Sequence, residues 1–358
     1  MKWLQRFSNL SPKHKRILRW VGYPLFYLFC LTLFFRILFP YDRVKHTLVS
    51  EFSKTQTGPK PMRLEVDDMS SYGIFSFGVE AEGVRLVPLT SATAPTSTEP
   101  GAKSDSEVTS IEHVHATVGI LSALFGTKNV KFGAEAFGGE INGRLEDTKS
   151  ERAIDLELDE VDLGKLPFLA EIIGLPLSGV VDGNVEFLAP EHSVSKADGL
   201  VKMTASDIVV GDGKAKIRNT IALPTLHAGN LELEAEIKKG KLTFKKFKIS
   251  GGELDFDAQG TIDLREPFAQ SSVNIQLEFR FADSYKSKND MTRGLFGDPK
   301  SNIPGAFDLD PQSRRAKNPR TGGYGFRLLG LMQKPTTEPD PNALLSRPGA
   351  PRAPGSTP

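Results

Sequence analysis

The sequence predicts a mainly β protein carried on one N-terminal transmembrane helix, with a long, mostly antiparallel sheet interrupted by two short helices. Three observations predict it. Residues 20–39 are almost wholly apolar, and the chain beyond Tyr41 alternates apolar and polar residues with period two. Turn residues recur about every eight to twelve positions through that alternating part, the spacing of successive strands.

Composition narrows the class before any motif is read. The chain has 358 residues, with 45 Lys and Arg against 44 Asp and Glu, and 39% of it is hydrophobic. Near-neutrality gives no counter-ion-release drive, so nucleic acid is not an expected partner. With 23 Phe the chain is too apolar for global disorder. A single Cys, Cys30, excludes an intrachain disulfide and any cysteine-cluster metal site.

The charges are unevenly spread. Lys2, Arg6, Lys13, Lys15, Arg16, Arg19 and Arg36 precede residue 40, with no acidic residue among them. Residues 1–19 therefore read as a basic cytoplasmic segment, and Trp20 to Phe39 (WVGYPLFYLFCLTLFFRILF) as the helix that follows it. Twenty residues at about 1.5 Å each match a hydrocarbon core of about 30 Å. Trp20, Tyr23 and Tyr41 suit the interface belts, and Arg36 can snorkel to the far side. A cleaved signal peptide fits less well, because RILFPYDRV after the span has no small-x-small cleavage site.

Residues 40–286 form the β-rich body beyond the membrane. Its strands show one apolar face each, as in Phe77 and Val79, in Leu233, Ala235 and Ile237, and in Val273, Ile275, Leu277 and Phe279. The alternate positions carry Glu, Asp, Lys, Asn and Gln, so one face of the sheet is wet, as antiparallel sheets allow. Gly119 to Phe125 and Gly164 to Ile173 cluster apolar residues at helical spacing, and Gly126 and Gly174 follow as helix-closing residues. EAFGGEINGRLE (Glu135 to Glu146) and FKISGGELDFDAQG (Phe247 to Gly260) echo one another as hairpins around a Gly-Gly pair.

Three segments lie outside the strands. Residues 88–110 read as a flexible insertion, 287–322 as an extended linker and 333–358 as a disordered Pro-rich tail. Between the last two, residues 323–332 regain alternation and read as a terminal strand.

Candidate chemistry is thin. His113 and His115 share one strand face, half of a possible metal site, but the other His residues are distant in sequence. Ser193 to Lys196 has Ser-x-x-Lys spacing without its partner motifs, and GDGK (Gly211 to Lys214) lacks the earlier Gly of a phosphate loop. The acidic run from Asp155 to Asp162 alternates with Leu156, Leu158 and Val161 and reads as a strand, not a calcium loop. No catalytic, cofactor-binding or metal residue is assigned, and the reading is non-enzymatic.

Several stretches resemble the type II secretion system protein N family of the general secretion pathway. They are FPYDRVK (Phe39 to Lys45), NVKFGAEAFGGEINGRL (Asn129 to Leu145), LPFLAEIIGLPLSGVVDGNVEF (Leu166 to Phe187), GLVKMTASDIVVGDG (Gly199 to Gly213), LPTLHAGNLELEAEIKKGKL (Leu223 to Leu242) and GGELDFDAQGTIDL (Gly251 to Leu264). The resemblance covers roughly residues 20–282, with a weaker match at GGYGFRLLGLM. It implies a single-pass inner-membrane protein of Gram-negative bacteria with its bulk in the periplasm, attending the machine that moves folded proteins across the outer membrane. Its partners would be other type II secretion components and envelope proteins.

The strand pattern is also similar to AsmA-like proteins, which implies a curved sheet whose apolar groove carries lipid. Two functions follow: a component that docks other envelope proteins, or a lipid-binding or lipid-transfer protein. An apolar face closed over itself favours the first, and an uncovered one favours the second.

Overall fold

The computed structural model describes residues 20–27, 29–30, 33–34, 38–55, 62–72, 77–88, 109–119, 126–166, 169, 175–213, 216–217, 221–222, 224–297 and 304–344. Helix Tyr41–Thr55 leads into β1 (Met62–Glu65), β2 (Asp68–Tyr72), β3 (Phe77–Pro88), β4 (Thr109–Val118), β5 (Lys128–Ala136), β6 (Gly139–Asp147), β7 (Glu151–Asp162), β8 (Leu177–Pro190) and β9 (Asp198–Val210). A small hairpin, β10 (Lys216–Ile217) and β11 (Ile221–Ala222), precedes β12 (Leu226–Lys238), β13 (Lys241–Gly251), β14 (Leu254–Asp263) and β15 (Ser272–Phe281). Four short helices follow, and β16 (Tyr324–Leu331) and β17 (Lys334–Pro339) end the sheet.

Apart from the β10–β11 hairpin, all of these strands join one 15-stranded antiparallel sheet, in the order β1-β3-β4-β5-β6-β7-β8-β9-β12-β13-β14-β15-β16-β17, with β2 beside β1 on the outer edge of β3. The order is a meander in which neighbours in sequence are neighbours in space. At about 4.8 Å per strand it extends about 60 Å across the strands. The resemblance implies a curved sheet, but this one is uncurled, because no pairing draws β1 and β17 together.

Alternation alone would not keep one face apolar over so many strands, since a slip of one residue turns every later side chain over. The sequence slips repeatedly, and most slips coincide with a register shift. Between Leu158 and Val161 the apolar positions change parity, and the β7–β8 register shifts there, with Glu160 at φ 51°. Ala228 and Leu231 are separated in the same way around Gly229, at φ 97°. Phe244 and Phe247 straddle the shift between β13 and β14. An extra residue at each place restores the phase, as a β-bulge does.

The two echoing hairpins occupy equivalent places, β5–β6 and β13–β14, at the same margin of the sheet. The second Gly of each pair lies against a neighbouring strand. A Cβ on Gly139 would stand 2.3 Å from the Asp159 carbonyl oxygen, and one on Gly252 would stand 2.3 Å from that of His227.

Several segment boundaries differ from the sequence reading. Residues 287–322, read as an extended linker, contain helices Asp290–Phe296, Ala306–Leu309 and Pro311–Ala316. Helix Asp290–Phe296 starts on a capping box between Asn289 and Thr292, a short-range signal that its polar composition hides. The Pro-rich tail contains β17, which pairs with β16 through residue 339. Residues 41–55, within the segment read as β-rich, form helix Tyr41–Thr55, whose Val49 and Phe52 pack against Leu64, Val66, Ala81 and Val84. Of the two expected short helices, residues 163–165 form a single 3-10 turn, while 120–125 and most of 167–174 lie outside the described residues, as do 89–108 of the insertion.

Gly139→Ala should cost about 1–3 kcal/mol, because backbone on β7 must move. Gly294→Ala, in helix Asp290–Phe296 with nothing within 4 Å of the new Cβ, should be neutral or stabilising by up to about 1 kcal/mol. Thermal unfolding of the two variants checks this ordering.

Candidate functional site

One face of the sheet carries an apolar row that crosses almost every strand. From the β16 side it runs Phe326, Leu277 and Ala258, resumes at Phe247 and Leu233, and continues through Met203, Gly183, Leu158, Ile141, Ala134, Val114 and Ala81 to Met69. Parallel rows flank it, such as Phe187 opposite Ile154 and Val185 opposite Leu156. Gly143 on this face leaves room for the Phe132 ring, whose Cζ stands 2.2 Å from where a Cβ would be.

The margins of this face are covered. At one margin the turn Val194–Lys196 folds inward, so Val194 and Ala197 pack with Ala189, Ile237, Ile262 and Val273. At the other, Leu163 and Leu166 cover Val161, Val181, Ala205 and Ile208. The β15–β16 corner is filled by aromatic rings: Phe281 meets Tyr285 and Phe296, Phe296 stacks on Phe307, and Phe307 meets Tyr324. Tyr285 is 2% exposed, and its hydroxyl donates to the Pro224 carbonyl at 3.0 Å. Burial, with the Glu253 charge second, pushes its pKa up to about 12.

The middle is not covered. Leu156, Leu158, Val185, Val201, Met203, Leu233, Phe247, Phe256, Ile275 and Leu277 are all half-buried, flanked by side chains of the same face but not overlain by a second layer among the described residues. A sandwich core would bury such residues almost completely.

The residues singled out in the sequence divide between these two environments. Ala235, Ile237 and Val273 are buried, whereas Val79, Leu233, Ile275, Leu277 and Phe279 lie half-buried on the same face. Phe77 holds the register position opposite Val118. Alternation could reveal the face but not its two environments, which depend on loops folding back over it. Phe132, Met203, Phe247 and Phe326 belong to the face as well, and their alternation gave the same signal.

The opposite face is a charged surface. Arg280 meets Asp255 at 2.6 Å, Lys245 meets Glu236 at 3.0 Å, and Gln259 Nε2 donates to Gln276 Oε1 at 3.0 Å. Exposed ion pairs such as Arg280–Asp255 contribute about 0–1 kcal/mol each. His113 and His115 lie there: His113 Nε2 bonds Glu80 Oε1, and His115 stacks on Tyr72. No group of three or more His, Cys, Asp or Glu able to hold a metal occurs among the described residues. Lys196 of the Ser-x-x-Lys stretch is bonded to Glu191, and Ser193 Oγ to Ser195 Oγ at 2.9 Å.

At the N-terminus the described residues between 20 and 38 are helical, with Trp20, Tyr23, Phe26 and Phe34 well exposed. Tyr41 begins the following helix, its ring 4.8 Å from that of Phe39. Residues 1–19 and Arg36 lie outside the described residues. No helix among the described residues is long and apolar enough to cross a membrane.

Comparison with protein-family models, with characterised proteins and with solved structures finds no match to this chain.

Half-burial sets a limit on the cost of a charge. Leu233→Glu, in the uncovered middle, should destabilise by about 1 kcal/mol, because its carboxylate keeps water. Ile237→Glu, 4% exposed under the Val194 turn, should cost about 3 kcal/mol or more. Denaturant unfolding distinguishes the two; equally large losses would mean that the middle is covered.

Proposed function

We propose that this protein is a non-enzymatic, membrane-anchored component of the bacterial type II secretion apparatus and that its apolar sheet face binds acyl chains. The observation that carries the activity is the uncovered middle of that face, which spans the strands from β7 to β15, about 30 Å across, and is bounded by packed margins. Exposed apolar surface on this scale is rare on soluble proteins and marks a binding surface. An acyl chain lying across the strands fits the row, and each methylene removed from water contributes up to about 0.8 kcal/mol. The secretion assignment and the inner-membrane, periplasm-facing topology rest on the sequence resemblance and on the basic segment before Trp20. The apolar stretch 20–39 is the proposed anchor, with Trp20, Tyr23, Arg36 and Tyr41 at its interfaces.

A second reading makes the protein a docking scaffold that recruits partners along its sheet edges. The edges favour it less. The two-residue turn Met332–Gln333 makes Leu331 and Lys334 the first hydrogen-bonded pair, so Pro335, Thr337 and Pro339 face outward on β17. Two of the three outward positions therefore have no N–H to offer. At the other edge β1 and β2 are only 4 and 5 residues long and are interrupted at Val66 and Asp67.

Purification of the full chain from its native membrane in mild detergent, with mass spectrometry of the lipid extract, tests the activity. Acyl lipid should co-purify with the wild type and with Glu232→Gln, and should be lost from the Leu233→Glu, Leu277→Glu double variant. Equal retention by all three proteins would refute acyl-chain binding at this face. Deleting the gene should strand secreted proteins in the periplasm; normal secretion would remove the protein from that apparatus.

A further inference from the structure

The corner of the sheet where β14–β15 and β16–β17 turn exposes three large apolar side chains that the acyl-binding face does not use. Phe268 is 54% exposed, Leu331 43% and Met332 40%. They are not on a loose loop. Met332 N–H donates to the Ser271 carbonyl at 2.8 Å, and Gln333 N–H donates to that of Ala269 at 3.1 Å. Ser271 is fully buried, and its hydroxyl accepts from Arg265 N–H at 3.0 Å. Leu264 N–H bonds the Gly240 carbonyl at 2.7 Å, which ties in the next turn along the margin.

Cations lie along the same margin. Lys239, Arg265 and Lys334, all exposed, stand in or beside the three successive turns β12–β13, β14–β15 and β16–β17, and enter no ion pair among the described residues. Of the nearby acids, Asp263 pairs with Lys241 at 3.8 Å, while Asp198, which accepts the backbone N–H of Lys239 at 3.0 Å, and Glu266 are the opposing charges. Apolar tips on a rigid backbone with cations beside them match the two layers of an anionic bilayer surface, acyl boundary beneath and phosphate above.

We propose that this corner is a membrane-contact site, in which Phe268, Leu331 and Met332 insert at the surface of an anionic bilayer and Lys239, Arg265 and Lys334 meet its headgroups. The site is separate from the acyl-binding face and stands whether or not that face holds lipid.

The test uses the full chain with Cys30→Ser, reconstituted in vesicles of phosphatidylcholine with or without phosphatidylglycerol. A fluorophore on Met332→Cys is compared with one on Glu157→Cys, on the charged face, and brominated lipid serves as quencher. With phosphatidylglycerol present, the fluorophore at 332 should be quenched about twofold more than the one at 157. Replacing Lys239, Arg265 and Lys334 by Glu should abolish the difference while the β-sheet circular dichroism signal stays unchanged. Equal quenching at the two positions, quenching at 332 that ignores phosphatidylglycerol, or quenching at 332 that appears only after an envelope protein is added would each overturn the proposal.

Discussion

The structure depends on one constraint, that the alternation of apolar and polar residues stays in phase from strand to strand across the whole sheet. In a meander each strand inherits its facing from the one before, so an uncorrected slip would invert the remainder of the sheet. The chain meets this constraint with bulges. Residues such as Glu160 and Gly229 take up backbone with positive φ where the apolar parity changes, and Val161 and Leu231 return to the same face as Leu158 and Ala228. Each bulge thus belongs to the local sequence slip that it repairs.

From that single face follow both the stability and the proposed activity. Loops that fold back over the margins make the packed clusters around Val194 and Val161, and the aromatic rings between Phe281 and Tyr324 fill one corner. These clusters bury Ile237, Val273, Val181 and Ala205, so the fold has its core at the rims of the face. The band between them is left half-exposed. An ordinary β-sandwich would cover that band with a second sheet, and the described residues supply none.

Much of this was legible in the sequence. The period-two runs around Leu233 and Leu277 gave the strands and the face, and residues 323–332 gave a strand that pairs with β15. What was not legible depends on contacts far apart in sequence. Nothing local to Ile237 distinguishes it from Leu233, because what differs is the Val194 turn that packs only against the former. The helices in residues 287–322 have no periodic signal of their own, because Phe296 and Phe307 are held by Phe281 of β15 and Tyr324 of β16 and not by an apolar stripe. β17 was hidden by Pro335 and Pro339, which are tolerated because it is an edge strand.

The central claim is that the middle of the apolar face is open and receives acyl chains. Nitroxide labels at Met203 and Leu277, compared with one at Val194, test it most directly through their accessibility to a water-soluble paramagnetic reagent before and after a fatty acid is added. The account predicts that the first two are accessible without fatty acid and become shielded when it binds, while the label at 194 is shielded throughout. Shielding at all three positions before any fatty acid is present would contradict it.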